Sequence, residues 1–215
     1  MAATIYLIRH GESEANNLTM FAGHIDVALT ARGKEQANIT ANYLKKQNFC
    51  PTAIYSSDLT RAYSTAESTA KLLNMPVVKE RGLREINAGK WEGVKFSELT
   101  EKFKDSYSVW LENIGLACCE GGESVAELQK RVVLTVSKLA DKHNNEVIFI
   151  FTHATPIRVL SAHCMNKPLD EIKDVPWATN ASVTKVIYNN GVFELVEYSR
   201  DDFMGELVTK FASNV

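Results

Sequence analysis

Leu7-Ile8-Arg9-His10-Gly11-Glu12-Ser13 sets an arginine and a histidine side by side where the apolar run 4–8 gives way to glycine. The run reads as a buried strand and the glycine as the tight turn that ends it. In open α/β sheets, ligands sit just beyond the carboxyl ends of the strands. An Arg-His pair delivered there suits phosphate chemistry. Taken alone, the two residues read equally well as polar side chains leaving a strand, so the decision falls to the remainder of the chain.

Outward from that stretch, strand and helix patterns alternate. Residues 30–47 read as a helix with Ala37, Ala41 and Leu44 on one face. A short strand at 53–56 precedes a helix from about 58 to 73, and 76–79 reads as a further strand. Residues 124–143 give the clearest helix: Val125, Leu128, Val132, Val136 and Leu139 follow helical spacing, and Ser124 with Glu127 makes a capping box. A continuous apolar strand at 147–152 leads to a helix at 156–165 with Pro156 in its first turn. Asn190-Gly191 between 183–189 and 192–197 signals a tight hairpin. Strands alternating with helices predict a three-layer α/β/α sandwich around a mainly parallel sheet. Residues 89–122 break the rhythm and are expected to be a small helical cap inserted over the sheet's carboxyl edge, within a single domain spanning 1–215. Residues 201–215 are open to docking or dimerisation.

Composition narrows the partners. The chain has 215 residues, 45% hydrophobic and 23% charged, with a net charge of −2. That balance fits a globular protein with a real core, and gives no reason to expect nucleic acid or a membrane surface as partner. Cys50, Cys118, Cys119 and Cys164 form neither a disulfide framework nor a zinc pattern, so reduced thiols in a cytoplasmic protein are expected, with Cys118 and Cys119 buried. No secretory leader or membrane-spanning run is read in the sequence. Trp91, Trp110 and Trp177 are expected to pack in the core or cap rather than line a pocket.

Two later junctions repeat the geometry of the first. In Ser56-Ser57-Asp58-Leu59-Thr60-Arg61, Asp58 reads as a helix cap that puts Arg61 in the first turn, beside free backbone N–H groups suited to phosphate. By itself Arg61 reads more simply as a surface arginine. In Phe151-Thr152-His153-Ala154-Thr155-Pro156, His153 ends an apolar strand and Thr155 is placed to cap the next helix. Arg9, His10, Arg61 and His153 would then emerge at one edge. Two arginines and two histidines in one pocket repel one another unless an anion occupies it, and arginine binds phosphate oxygens in bidentate fashion. Glu85, in Leu83-Arg84-Glu85-Ile86, is either a proton donor or a salt-bridge partner of Arg84 or a neighbour.

With Asn16, Gly23, Asp26, Leu29 and Thr30, then Trp91-Glu92-Gly93, Gly121-Gly122-Glu123-Ser124 and Asn180-Ala181-Ser182-Val183, these motifs run in order along nearly the whole chain. The sequence resembles the histidine phosphatase superfamily, the phosphoglycerate mutase-like group. Within it, the small branch that includes α-ribazole and broad-specificity phosphatases is the most similar.

The resemblance implies that His10 is a nucleophile that becomes phosphohistidine and that Glu85 is the acid/base. It implies that Arg9, Arg61 and a protonated His153 hold the phosphate while Asn16 and Gly23 line the substrate site. No metal and no cofactor are expected. The expected reaction is hydrolysis of a small phosphorylated metabolite by a monomer or homodimer. The alternatives are a cofactor-dependent mutase-type phosphotransferase and a non-catalytic phospho-ligand module. Between residues 90 and 125, four lysines face seven carboxylates, a net charge of −3 that suits a bisphosphoglycerate poorly.

Overall fold

The computed structural model describes residues 2–209. Its strands are β1 (Ala2–Arg9), β2 (Ala53–Ser56), β3 (Val77–Lys79), β4 (Val147–Thr152), β5 (Val183–Asn189) and β6 (Val192–Arg200). Its helices are α1 (Glu14–Asn17), α2 (Ala31–Lys46), α3 (Thr60–Leu73), α4 (Phe96–Lys102), α5 (Lys104–Glu112), α6 (Val125–Ala140) and α7 (Ala154–Cys164). They form an α/β fold on one six-stranded sheet of order β3-β2-β4-β1-β5-β6. The β3, β2, β4 and β1 pairings are parallel, and β5 and β6 add antiparallel at one edge. Asn190 and Gly191, with φ of 48° and 85°, make the tight turn between the last two strands.

Strand side chains alternate faces, and here the alternation divides the core in two. Tyr6, Ile8, Phe149, Phe151 and Ile54 pack with Leu44 of α2 and with Ala66 and Ala70 of α3. Ile5, Leu7, Ile148 and Ile150 face the other way, onto Leu128, Val132 and Val136 of α6 and Ile157 and Leu160 of α7. A strand buried on both faces must be apolar at every position, which is why the central runs lack polar alternation.

Several local expectations are corrected. Asp58 does not cap α3. The N-cap is Leu59, which offers no side chain, and Asp58 instead forms a two-point ion pair with Arg84. The cap comes from a distant loop: Asp26 accepts from the Thr60 N–H at 2.6 Å and from its hydroxyl at 2.8 Å. The helix expected at 156–165 begins two residues earlier, at Ala154, with His153 at the N-cap and no side-chain cap bond, so Thr155 lies inside it. By contrast Ser124 and Glu127 do form the capping box of α6.

Among the described residues, 89–122 contain α4, α5 and two short 3-10 turns, Gly89–Trp91 and Ile114–Leu116, and none of the six strands. Trp91 is fully buried there among Phe21, Tyr107 and Trp110. Of the two cap cysteines expected to be buried, Cys119 is and Cys118 is exposed; Cys164 is buried and Cys50 exposed. After β6, a 3-10 turn Asp202–Leu207 docks on α2, where Gln36 donates to the Leu207 carbonyl at 2.8 Å and Arg32 to that of Val208 at 3.2 Å. The rest of the C-terminal segment, 210–215, lies outside the described residues. No helix among the described residues is long and apolar enough to cross a membrane.

Candidate active site

The parallel strands β1, β2 and β4 deliver Arg9-His10, Ser56-Ser57 and Thr152-His153 to the same side of the sheet. A cavity of about 490 Å³ opens there, lined at its inner end by Arg9, His10, Asn16, Gly23, Arg61 and Glu85. Six of the seven residues singled out in the sequence therefore share one cavity. The seventh, His153, is fully buried behind it, with its ring centroid 5.1 Å from that of His10 at an interplanar angle of 62°.

The sharp turn after β1 fixes His10. Its Nδ1 lies 2.7 Å from the carbonyl oxygen of Gly11. Asn180 Nδ2 and the Ala181 N–H both donate to the carbonyl of His10, at 3.1 Å each. With Nδ1–H donating to Gly11, Nε2 is the nitrogen that carries the lone pair. Burial, then the charges of Arg61 and Arg9, hold the His10 imidazole well below its ordinary pKa, against the opposing pull of the Gly11 carbonyl. The ring is neutral, as a nucleophile must be.

Arg61, in the first turn of α3, is aimed by two carbonyls: Nη2 donates to Gly23 at 2.8 Å and Nη1 to Ile25 at 2.9 Å. Gly23 has φ of 50°, and a Cβ there would stand 2.4 Å from Glu92 Oε1, so the turn that orients Arg61 requires glycine. Arg9 donates to the Ala178 carbonyl at 2.6 Å. Burial pulls both guanidinium groups down to about 10, and the attraction of Glu85 is the largest effect opposing it in each.

Glu85 makes no pair with Arg84. Its Oε1 accepts from the Ile86 N–H at 2.8 Å, and its Oε2 lies 3.4 Å from the Thr155 N–H at the start of α7. Arg131 braces this loop from below, donating to the carbonyls of Gly82, Arg84 and Glu85 while gripping Glu123. His24 Nε2 contacts the same Glu85 carbonyl at 2.9 Å.

His153 departs from the expected protonated form. Burial first, then Arg61, His10 and Arg9, push its pKa well below the ordinary value. Its Nε2 lies 2.8 Å from Ser57 Oγ, and its Nδ1 has no hydrogen-bond partner among the described residues. In the ligand-free protein this histidine is neutral.

The outer cavity differs from what the charge count suggested. None of the seven carboxylates between 90 and 125 lines it; that segment presents Phe96, Tyr107, Trp110, Leu111 and Ile114. Trp110 and Trp177 thus line the cavity, contrary to expectation, while Trp91 is core. The basic wall residues Arg158 and Lys173, and Thr209, were not picked out from sequence, and the N-cap serine Ser13 of the opening motif was given no role. Nor were Ser57 and the capping carboxylate Asp26 given roles. Among the described residues, no group of three or more His, Cys, Asp or Glu side chains is placed to hold a metal ion.

Comparison with known proteins bears on the same architecture. Residues 5–201 match the model of the histidine phosphatase superfamily (branch 1). Phosphoserine phosphatase 1 of Hydrogenobacter thermophilus is 34% identical over 156 residues, 73% of this chain and 73% of its own. Bacillus stearothermophilus YhfR superposes with a TM-score of 0.89 at 28% identity, covering 94% of this chain and 99% of the other. The α-ribazole phosphatase of Shigella flexneri gives a TM-score of 0.80 at 25% identity, covering 92% and 96%.

Proposed function

Since the chain belongs to the histidine phosphatase superfamily and is a phosphatase, we propose that it hydrolyses a small phosphomonoester through a phosphohistidine on His10. The observation that carries this reading is the tautomer lock. A neutral imidazole is held at Nδ1 by the Gly11 carbonyl and lines a cavity with two buried arginines and a carboxyl group.

In the first step the Nε2 lone pair of His10 forms the N–P bond as the P–O bond to the alcohol breaks. Glu85, protonated beside the bound dianion, gives its proton to the departing alkoxide. Negative charge spreads over the three equatorial oxygens, where the fixed guanidinium groups of Arg9 and Arg61 meet it at little reorganisation cost. His153, near enough to His10 to reach the transferred group, gains a reason to protonate once a dianion offsets the arginine repulsion. In the second step Glu85 takes a proton from water, the water oxygen bonds to phosphorus, and His10 leaves neutral. The proton balance closes on each turnover.

Asn16 and Gly23 would border the bound ester, and residues 89–122 would act as the cap of a single domain, supplying the apolar wall. We read the protein as cytoplasmic and its substrate as a phosphorylated metabolite, with water rather than a second substrate as acceptor. A phosphatase assay run beside a coupled phosphoglycerate mutase assay tests the acceptor: phosphate release should dominate, and strong isomerisation with little release would reverse the assignment. His10→Ala should lower turnover by at least about 10³-fold and abolish phosphoryl labelling of the protein; full activity in that variant would rule out the mechanism.

A further inference from the structure

The three buried arginines of the described residues, Arg9, Arg61 and Arg158, all line the cavity. The phosphoryl end accounts for two. Arg158 lies on α7, five residues past His153, and is only 6% exposed. Its guanidinium carbon sits 4.2 Å from the centroid of the Trp177 ring, and Nη2 donates to the Lys173 carbonyl at 3.0 Å. That is the single hydrogen bond it makes among the described residues; Nε is buried without an acceptor. No described carboxylate pairs with it, whereas Arg32, Arg84, Arg131 and Arg200 each have one.

A buried cation without a counter-ion is a cost to the fold, and an apolar side chain of similar volume would remove it. The stacking on Trp177 recovers only part of that cost. Such a group is explained if the missing anion arrives with the ligand. Its surroundings define the anion further. Trp110, Ile114 and Trp177 make the neighbouring wall apolar, and Lys173 adds a second cation at the exposed rim. One buried guanidinium fork matches one carboxylate, two N–H donors to two oxygens. A dianionic phosphate would lose more hydration than a single fork restores.

We propose that Arg158, with Lys173 at the rim, binds a carboxylate carried by the phosphomonoester itself, so that the substrates are phosphorylated carboxylic acids. The inference rests on the phosphomonoester reading above. It also assigns a place for specificity: the phosphoryl group is held by Arg9 and Arg61, and the far end of the same molecule by α7 and the segment that carries Lys173 and Trp177.

The test compares 4-carboxyphenyl phosphate with its methyl ester, and the 3-substituted pair likewise, on the wild-type protein and on R158M. The wild type should favour the free carboxylate over the ester in kcat/KM for at least one pair by about ten- to hundredfold, the range expected for a charge-assisted hydrogen bond. In R158M that ratio should collapse by a similar factor. Comparing ratios cancels differences in leaving group and any general loss from the substitution. R158K, which keeps the charge and loses the fork, should recover part of the ratio and serves if R158M does not fold. An unchanged ratio in both variants, or no carboxylate preference in the wild type, overturns the assignment. A larger gain from 4-phosphonophenyl phosphate than from the carboxylate overturns the choice of a monoanion. Hydrolysis of none of these compounds by the wild type overturns the phosphomonoester reading, and this inference with it.

Discussion

His10 Nδ1 lies 2.7 Å from the carbonyl oxygen of Gly11, the residue that follows it in the chain. The acceptor that selects the tautomer is thus part of the turn itself. That turn exists because two backbones touch: a Cβ on Gly11 would stand 2.3 Å from the carbonyl oxygen of Gly33 in α2, and one on Gly33 would stand 1.9 Å from that of Glu12. Gly11→Ala must therefore push the Gly11 peptide away from the helix and move the carbonyl that holds His10. The expected outcome is a loss of about 1–3 kcal/mol in stability, as for other overpacked sites, together with slower phosphoryl transfer. Denaturant titration and single-turnover labelling of the protein measure the two effects. An Ala variant with wild-type labelling kinetics would show that the carbonyl does not set the nucleophile.

Stability and pH are linked through the two central histidines. His10 and His153 both titrate well below the ordinary imidazole value of 6.5 because they are buried beside arginines. Above that value they are neutral whether the chain is folded or not, and contribute nothing. Below it the unfolded chain takes up protons that the folded protein refuses, so the unfolded state binds more and stability falls as pH falls. Each histidine costs up to about 1.4 kcal/mol per pH unit until its folded-state pKa is reached. Thermal melts should show the midpoint dropping from pH 7 to pH 5, with a smaller slope in His153→Gln. Inorganic phosphate or vanadate should protect more strongly in the acidic range, since a bound dianion lets the imidazoles protonate. A melting midpoint that is flat across this range would contradict the neutral-histidine assignment.

The parts of this site that were legible in the sequence are those carried by residue type at strand ends. Arg9, His10, Arg61 and His153 come together because parallel strands deliver their carboxyl ends to one side, whereas Glu85, in a loop beyond the 3-10 turn Arg81–Leu83, was assigned only by the resemblance. Long-range pairings were not legible. Asp58 sits where a helix cap belongs, yet Arg84, 26 residues on, takes its carboxylate, and Asp26 supplies the cap from another loop. The acidic count of 90–125 could not show what faces the ligand, for a related reason: Glu98, Glu120 and Glu123 are tied to Lys102, Lys90 and Arg131, and the cavity receives the segment's aromatic side chains instead. Net charge gives no direction, and a wall is made by direction. Arg158 was hidden likewise, as a cation in the middle of a mostly apolar helix whose burial only tertiary packing reveals.

Glu85 should matter in proportion to the leaving group. Its carboxyl is oriented by the Ile86 N–H and lies near the Thr155 N–H, and its main chain is held by Arg131 and His24. Glu85→Gln can keep its oxygen on the Ile86 N–H and the main-chain contacts, gives up the acceptor that faces the Thr155 N–H, and removes the transferable proton. For an alkyl phosphate, whose alkoxide must be protonated as it leaves, kcat should fall by about 10²–10⁴-fold. For 4-nitrophenyl phosphate, whose phenolate leaves without help, the loss should be far smaller. Equal losses on both substrates would assign Glu85 a structural role, and a similar comparison in Arg131→Met separates the brace from the acid.

Asp26 offers a test of how Arg61 is aimed. Its carboxylate closes the N-terminus of α3 through Thr60, while its neighbours Gly23 and Ile25 accept both terminal nitrogens of Arg61. One loop therefore fixes the helix end and the guanidinium together. The helix has no side-chain cap of its own, Leu59 being the N-cap residue. Asp26→Ala should cost about 0.5–2 kcal/mol, the range for a lost cap, and should let the loop drift from Arg61. The inhibition constant of inorganic phosphate should then rise severalfold. Asp26→Asn keeps an acceptor for the Thr60 N–H but loses the one for the Thr60 hydroxyl and the favourable charge at the helix end, the latter worth about 0.3–1 kcal/mol; with the backbone cap retained it should bind phosphate more nearly as the wild type does than Asp26→Ala. If Asp26→Ala loses stability but retains phosphate affinity, the cap and the arginine are independent, and Gly23 and Ile25 alone orient Arg61.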